Sequence, residues 1–282
     1  MLHSAGTVCE LELEQHWTWR RDEDTRVSAS STPVLNLTNM TQHNETSVET
    51  LTDIADDACV LLSLGARHRV VIHTVVSGWG ASVIQEWRNP LSRIRARTEE
   101  EACGPLIDVK ELEGYFSHVS AFWSDLDARK RDAIRLAVFA VHPSTDRTLE
   151  GGFLAMFSAM EGLAKTWGSD TVTLRKKIDA LLERHPVRIG GLWPLFDTPA
   201  GAGLYWIRNE LAHGRSVGRF ALGALVLAQD HLHLWLEHML LAVMGYKWVS
   251  FYFFYFFGSD ALQHQNKVGV LLFLFRSNYV DH

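Results

Sequence analysis

Apolar residues recur every three or four positions through the C-terminal half of the chain, which is the spacing of amphipathic helices. The pattern starts at Asp108. Its first apolar stripe includes Leu112, Tyr115, Val119 and Trp123. Later parts of the same pattern predict helices over 128–141, 149–167, 174–182, 204–213 and 220–244. This half of the chain is therefore predicted to fold as a helical bundle.

The helix predicted over 149–167 has the strongest pattern, because its apolar residues fill one continuous stripe. Ser144 or Thr145 is predicted to cap its N-terminus, since a hydroxyl oxygen can accept a hydrogen bond from a free backbone N–H group. Gly168 is predicted to end it. In the same way, Gly214 is a natural terminator for the helix over 204–213.

The N-terminal part of the chain has mixed signals. Residues 9–14 alternate apolar and charged side chains and residues 69–76 are rich in β-branched ones, so both segments are predicted strands. A short helix is predicted over 51–64. Residues 20–50 are rich in Ser, Thr, Asn and charge, which predicts loop or disorder. The predicted fold class is mainly α, a bundle over 108–247 preceded by a small irregular α+β region over 1–107.

The last segment, 248–282, is an aromatic tail to which no structure is assigned. Residues 251–257 are seven consecutive aromatics, and 268–275 is a second apolar run. Neither run reaches the length of about 18–20 residues that a membrane-spanning helix needs. A pair of core strands, or an extension beyond the end of the domain, is the favoured interpretation, and contact with a membrane through the tail is the alternative.

Composition restricts the partners and the compartment. The chain has 282 residues, of which 47% are apolar, and a formal net charge of -6. A dedicated non-specific binder of nucleic acid is usually basic, so any contact with RNA must rest on a local patch. Residues 170–220 carry eight basic and five acidic side chains, a local balance of +3. Three widely spaced cysteines and an N-terminus without a signal-peptide pattern favour a cytoplasmic protein.

The segment 207–214, Ile-Arg-Asn-Glu-Leu-Ala-His-Gly, contains the residue types that RNA cleavage without metal requires. Arg208 is a permanent cation whose planar guanidinium matches phosphate oxygens. His213 titrates near neutral pH and can accept the proton of a ribose 2′-OH. Asn209 can donate and accept hydrogen bonds. Together they suffice to deprotonate the 2′-oxygen and to stabilise the negative charge that develops on the attacked phosphate.

Helix geometry leaves two arrangements open. Asn209 and His213 are four residues apart and share a helix face, whereas Arg208 and His213 lie about 140° apart around the axis. Arg208 and His213 converge only if the helix ends near His213, or if two copies of the chain share one site. A purely structural interpretation is also open, in which Arg208 pairs with Glu210 or Glu161 and His213 caps the helix.

The segment 208–214 resembles the R-x4-6-H signature of HEPN domains, in which a polar residue follows the arginine. Upstream, residues 157–163 (Phe-Ser-Ala-Met-Glu-Gly-Leu) are similar to the preceding helix of the Apea-like HEPN group, where an acidic residue often stands. The resemblance covers roughly residues 108–247. It implies a four-helix bundle, with Arg208 and His213 as catalytic residues, Asn209 as their polar helper and Glu161 as an orienting acid.

Many HEPN proteins are metal-independent ribonucleases that act as dimers in phage defence or in toxin systems, and some are inactive scaffolds. The resemblance therefore implies an RNA substrate, a homodimer and no cofactor. The alternative is a non-catalytic HEPN module that binds RNA or a partner protein. The N-terminal region and the aromatic tail do not fit the family pattern.

Other motifs give weaker indications. His231 and His238 share a helix face with His233 close by, but no third metal ligand lies nearby in the sequence, so no metal is expected. Trp206 is interpreted either as a base-stacking side chain or, more commonly for such a residue, as part of the core. The chain contains no G-x-S-x-G nucleophile elbow and no glycine-rich phosphate loop.

Overall fold

The computed structural model describes residues 2–4, 7–21, 27–39, 48–67, 69–72, 74–79, 82–87, 105–143, 147–168, 173–187, 191–199, 201–214 and 222–246. The chain divides into two compact units, Met1–Asp127 and Ala128–His282. The described part of the chain is mainly helical. The aromatic tail predicted over 248–282 lies outside the described residues.

The N-terminal unit contains a three-stranded antiparallel sheet in the order β1-β2-β3. Its strands are Leu2–Ser4 (β1), Thr7–Arg21 (β2) and Val27–Asn39 (β3). Strand β2 contains the segment 9–14 that its alternating pattern predicts. The composition of residues 20–50 predicts loop or disorder, whereas β3 occupies 27–39. Strand β3 pairs with β2 along its whole length, which provides partners for its backbone N–H and C=O groups. The prediction from side-chain composition does not take this backbone pairing into account.

The described residues of this unit also include two helices and a hairpin. The helices are Val48–Ala66 (α1) and Leu112–Ser124 (α2), and the hairpin strands are Thr74–Trp79 (β4) and Ser82–Trp87 (β5). A strand is predicted over residues 69–76, whereas the ladder with β5 runs from Thr74 to Trp79.

Helix α2 packs on α1 through two buried polar contacts. The indole Nε1 of Trp123 donates to Asp57 Oδ2 at 2.8 Å, and the Tyr115 hydroxyl donates to the carbonyl oxygen of Leu61 at 3.0 Å. Both aromatic side chains are buried. The first unit therefore includes α2 and ends at Asp127, whereas the helical pattern predicts that the bundle begins at residue 108.

In the described part of the C-terminal unit, five helices form a bundle, and they match the predicted ones closely. They are Ala128–Val141 (α3), Leu149–Trp167 (α4), Leu174–Arg184 (α5), Leu204–Ala212 (α6) and Leu222–Val243 (α7). Among the described residues, no helix combines the length and the apolar character that crossing a membrane requires.

Helix α4 is the centre of the bundle, because α3, α5, α6 and α7 all pack against it. Its predicted apolar stripe is the buried face, made of Phe153, Met156, Phe157, Met160, Leu163, Ala164 and Trp167. Gly168 ends the helix, and its N–H donates to the carbonyl oxygen of Ala164 as expected. The N-terminal cap is Thr148 rather than Ser144 or Thr145, because the Thr148 hydroxyl oxygen accepts from the N–H of Gly151 at 3.1 Å.

Candidate functional site

The start of α6 is fixed by the loop that precedes it. The backbone N–H groups of Leu204 and Tyr205 donate to the carbonyl oxygens of Pro194 and Leu195, at 2.9 and 2.8 Å. The N–H of Gly203 donates to Asp197 Oδ1 at 2.7 Å. These three bonds satisfy donors that the first turn of a helix leaves free. The first turn of α6 is therefore held in place by its own loop.

Gly203 permits the close approach of this loop to α6. A Cβ atom at Gly203 would collide with the backbone of Phe196, which cannot move aside as a flexible side chain would. The Phe196 ring also packs against the Tyr205 ring, with centroids 5.5 Å apart. Glycine at position 203 is thus a packing requirement of the site.

The same loop is anchored to α7 through Trp193. The N–H of Trp193 donates to His231 Nδ1 at 2.8 Å, and its carbonyl oxygen accepts from Trp235 Nε1 at 3.0 Å. The indole Nε1 of Trp193 donates to the carbonyl oxygen of Ala202 at 2.8 Å. Helix α7 therefore helps to place α6, although it contributes no residue to the predicted motif.

Arg208 of α6 forms an ion pair with Glu161 of α4, with 2.9 Å between Nη2 and Oε1. The Arg208 side chain remains 30% exposed and the Glu161 side chain 14% exposed, so the pair lies at the surface of the bundle. The two atoms are close enough for an ion pair, but their geometry does not make a hydrogen bond. Glu161 Oε1 accordingly has no hydrogen-bond donor among the described residues. Two residues that the sequence selected on separate helices are thus in contact.

Asn209 adds to this contact from the neighbouring position. Arg208 Nη1 donates to Asn209 Oδ1 at 3.2 Å. The guanidinium therefore lies between the Glu161 carboxylate and the Asn209 amide, and both fix its orientation. Among the residues that the structure describes, the two N–H donors of the Asn209 amide have no acceptor. The three groups, Glu161, Arg208 and Asn209, form one polar cluster.

Helix α6 ends at Ala212, one residue before its predicted end. His213 therefore lies immediately beyond the helix. Its N–H donates to the carbonyl oxygen of Asn209 at 3.1 Å, and the side chain is exposed. Gly214 follows in the left-handed region, with φ at +64°. The helix thus ends where the convergence of Arg208 and His213 requires. In the part of the chain that the structure describes, however, no contact joins the His213 side chain to Arg208 or Asn209.

The α6 motif, meaning Arg208, Asn209 and His213, therefore suits both interpretations of the sequence. The Glu161–Arg208 pair and the position of His213 at the helix end are what a structural role requires. They are also compatible with an oriented cation beside an exposed imidazole. Glu210, the other acid considered as a partner of Arg208, is buried.

Two further features extend the surface around α6. The Arg175 guanidinium lies over the Phe196 ring, 5.2 Å from its centroid, which places the basic start of α5 beside the α6 loop. Trp206 is 37% exposed, so it does not belong to the buried core. The commoner interpretation of such a tryptophan therefore does not apply to it. A cation and an aromatic side chain both face solvent near the motif.

The histidines of α7 separate into different environments. His231 is buried, and its Nδ1 accepts from the Trp193 N–H, so the ring is in its neutral form there. Burial lowers the pKa of His231 to about 4. The set of His231, His233 and His238 considered from the sequence is not the set that the fold brings together.

The fold instead brings together His142, His233 and Glu237, here called the His–Glu cluster. One nitrogen of each imidazole and one carboxylate oxygen all lie within 4.8 Å of one another. His233 Nε2 is 3.0 Å and His142 Nε2 is 3.9 Å from Glu237 Oε1. Sequence reasoning missed this cluster because His142 follows α3, far from α7 along the chain. The i,i+4 pair His233–Glu237 was the signal available in the sequence.

Comparison with protein-family models, with curated proteins and with solved structures finds no match to this chain.

Proposed function

We propose that the chain is a metal-independent endoribonuclease of HEPN type, with the α6 motif as its active site. His213 acts as general base, Arg208 as the phosphate-binding cation, Asn209 as a hydrogen-bonding helper and Glu161 as the acid that orients Arg208. The observation that carries the proposal is the contact between Arg208 and Glu161. This contact joins the two segments that resemble the HEPN family.

The chemistry follows from these groups. His213 accepts the proton of a ribose 2′-OH, and the 2′-oxygen attacks the adjacent phosphorus. The bond from phosphorus to the 5′-oxygen breaks, which leaves a 2′,3′-cyclic phosphate on one fragment and a 5′-hydroxyl, once protonated, on the other. The Arg208 guanidinium stabilises the negative charge on the phosphate oxygens during the attack. Because these residues supply both the proton transfer and the charge stabilisation that the attack on phosphorus requires, no metal is needed for this reaction.

Local charge supports an RNA substrate. The chain is acidic overall, yet residues 170–220 have a balance of +3. Arg175 lies beside the α6 loop, and the exposed Trp206 offers a ring on which a base can stack. A two-fold homodimer would bring a second copy of the motif to the same substrate, where the second His213 could protonate the leaving oxygen. A role as a cytoplasmic effector in phage defence or a toxin system belongs to the same proposal.

The test is incubation of the purified full chain with labelled RNA in the presence of EDTA. The wild-type protein is expected to produce fragments with cyclic-phosphate ends, and Arg208→Ala and His213→Ala are each expected to lower the rate of this cleavage by at least about 100-fold. Arg135→Ala is the matched control for the arginine, because Arg135 also pairs with a carboxylate, that of Asp132. His118→Ala is the control for the histidine, since His118 is an exposed histidine of the other unit. Folded motif variants that cleave at the wild-type rate would contradict the proposal.

The second candidate is a non-catalytic module that binds RNA or a partner protein. The observation that favours it is that Arg208 already has a carboxylate and an amide partner, while the His213 side chain contacts neither Arg208 nor Asn209. This candidate predicts binding of RNA without cleavage under the same conditions. A filter-binding measurement beside the cleavage assay separates the two functions.

A further inference from the structure

We propose that His142, His233 and Glu237 form a binding site for a divalent transition-metal ion, of which zinc is the best match. This proposal is independent of the proposed ribonuclease function, because the two rest on different residues. The ion would join α7 to the residue that directly follows α3. Its expected role is to hold the end of α3 against the middle of α7.

The spacing of the ligand atoms supports the site. Ligand atoms around a tetrahedral zinc ion lie about 3.3–3.6 Å apart, given zinc–ligand distances of about 2.0–2.2 Å. In the cluster the two distances to Glu237 Oε1 are 3.0 and 3.9 Å, and all three ligand atoms lie within 4.8 Å. The two imidazole nitrogens, which lie within 4.8 Å of each other, would have to approach by up to about 1.5 Å to share one ion.

The elements hold these ligands in place. His233 and Glu237 are one helical turn apart on α7, so they project from the same face. His142 follows the last residue of α3, and its N–H donates to the carbonyl oxygen of Val138 at 2.8 Å. The imidazole rings of His142 and His233 meet edge to face, with centroids 5.6 Å apart. Two packed helices therefore supply a chelating pair and a third ligand.

The chemistry of the donors also fits. Two imidazole nitrogens and one carboxylate oxygen are a ligand set that zinc uses, with a water molecule in the fourth position. Softer metals favour sulfur ligands, and harder ones favour oxygen ligands alone. This mixed set of nitrogen and oxygen ligands therefore favours a divalent first-row transition metal. The Glu237 side chain is fully buried and the His142 side chain 1% exposed, whereas that of His233 is 22% exposed. The fourth position would therefore be reached from the side of His233.

Burial gives a reason for a cation at this position. A carboxylate removed from water is costly unless positive charge or hydrogen bonds compensate. A divalent ion in the cluster would add positive charge beside the buried Glu237 carboxylate. The competing explanation is a metal-free network in which His233 donates to Glu237, and the experiment has to separate the two.

The test uses the full chain without a histidine tag, stripped of metal by a chelator and then dialysed against ZnCl2 or CoCl2. The wild-type chain is expected to bind one equivalent of metal at the His–Glu cluster. Bound Co2+ should give visible absorption bands typical of a four-coordinate site. Zinc binding should also raise the melting temperature. His233→Ala, which changes the most exposed ligand, should weaken zinc binding by more than about 100-fold.

Glu237→Gln serves as the second variant, since it keeps the shape of the side chain and removes its charge. His118→Ala is the matched control, because it deletes a histidine outside the cluster and should leave the zinc stoichiometry unchanged. If the stripped wild-type protein binds no zinc with a dissociation constant below about 10 µM, or if His233→Ala binds it as tightly as the wild type, the proposal is overturned. The wild-type measurement alone decides the matter if a variant fails to fold.

Discussion

The α6 motif and the His–Glu cluster both contain histidine and both lie beside or include a carboxylate, Glu161 for the motif and Glu237 for the cluster, but the chain assembles them in opposite ways. The α6 motif is nearly continuous in sequence, and its histidine is exposed at the end of a short helix. The His–Glu cluster joins residues from distant helices, and its carboxylate is fully buried. The exposed histidine can meet a substrate, whereas the two imidazoles of the cluster lie beside a buried carboxylate.

This difference explains the distinct functions assigned to the two sites. A general base must reach both substrate and solvent, so exposure of His213 suits proton transfer. A metal site requires several donors held at fixed separations, so burial between packed helices suits the cluster. The two sites therefore predict different responses to mutation, to chelators and to changes in stability.

The largest expected effect concerns cleavage by the α6 motif. A general base and a phosphate-binding cation act as one unit, so the double variant Arg208→Ala/His213→Ala should be no slower than the worse single variant. Each single change is expected to lower the cleavage rate by about 10²- to 10⁴-fold. Single-turnover cleavage of labelled RNA measures all three rates. Strictly multiplicative losses would show that the two residues act separately.

Metal removal should affect the other site most. If zinc binds the folded cluster, saturating metal at about 1,000 times its dissociation constant stabilises the fold by about 4 kcal/mol. Thermal unfolding with and without EDTA measures this difference. The difference should vanish in Glu237→Gln and persist in the His118→Ala control. A wild-type melting temperature that EDTA leaves unchanged would remove the contrast between the two sites.

His231 should separate structural from metal-binding roles on a single helix. His231→Leu removes the acceptor for the Trp193 N–H, and leaving that buried donor unsatisfied costs about 1–3 kcal/mol. His231→Asn places an amide oxygen near the position of Nδ1 and should recover part of the loss. Urea unfolding of both variants gives the comparison. Equal stability of the two would mean that packing, and not the hydrogen bond, is what His231 contributes.

Glu161 tests which interpretation of the Arg208 contact applies. Glu161→Gln keeps the size of the side chain and removes the charge that pairs with Arg208. Because the pair is partly exposed, the loss of stability should be at most about 1 kcal/mol. A fall in cleavage rate of about tenfold at unchanged RNA affinity is expected if Glu161 orients Arg208 for catalysis. A change in stability alone would favour the structural interpretation.

Much of this fold follows from local sequence patterns. The period of apolar residues predicts α3, α4 and α7 to within a few residues, because each helix buries one continuous stripe. The same locality makes the α6 motif recognisable, and the Glu161–Arg208 contact had been considered from the sequence. The pairing of β3 with β2 was missed, because polar composition indicates a lack of buried surface and does not reveal a backbone partner.

The His–Glu cluster was missed for a related reason. A histidine that follows one helix gives no sign of which residues of a later helix it will meet. The sequence instead drew attention to His231 and His238, which share a face with each other on one helix. In the structure His231 is the acceptor that anchors the α6 loop through Trp193. Neighbouring histidines two residues apart can therefore have unrelated roles, which only the packing of α7 reveals.

The smallest expected effect tests whether the end of α6 matters to its chemistry. Gly214 has φ at +64°, and a Cβ atom there would meet nothing within 4 Å, so Gly214→Ala adds backbone strain without a steric clash. The expected loss is about 1 kcal/mol, because residues with a Cβ atom disfavour the left-handed region. Gly162→Ala is the matched control, since Gly162 is helical, also meets nothing within 4 Å, and should gain about 0.5–1 kcal/mol. If the turn at Gly214 positions His213, Gly214→Ala should also slow RNA cleavage while Gly162→Ala does not. Zinc binding should be the same in both variants, since neither glycine touches the His–Glu cluster, and a change there would show that the two sites are coupled.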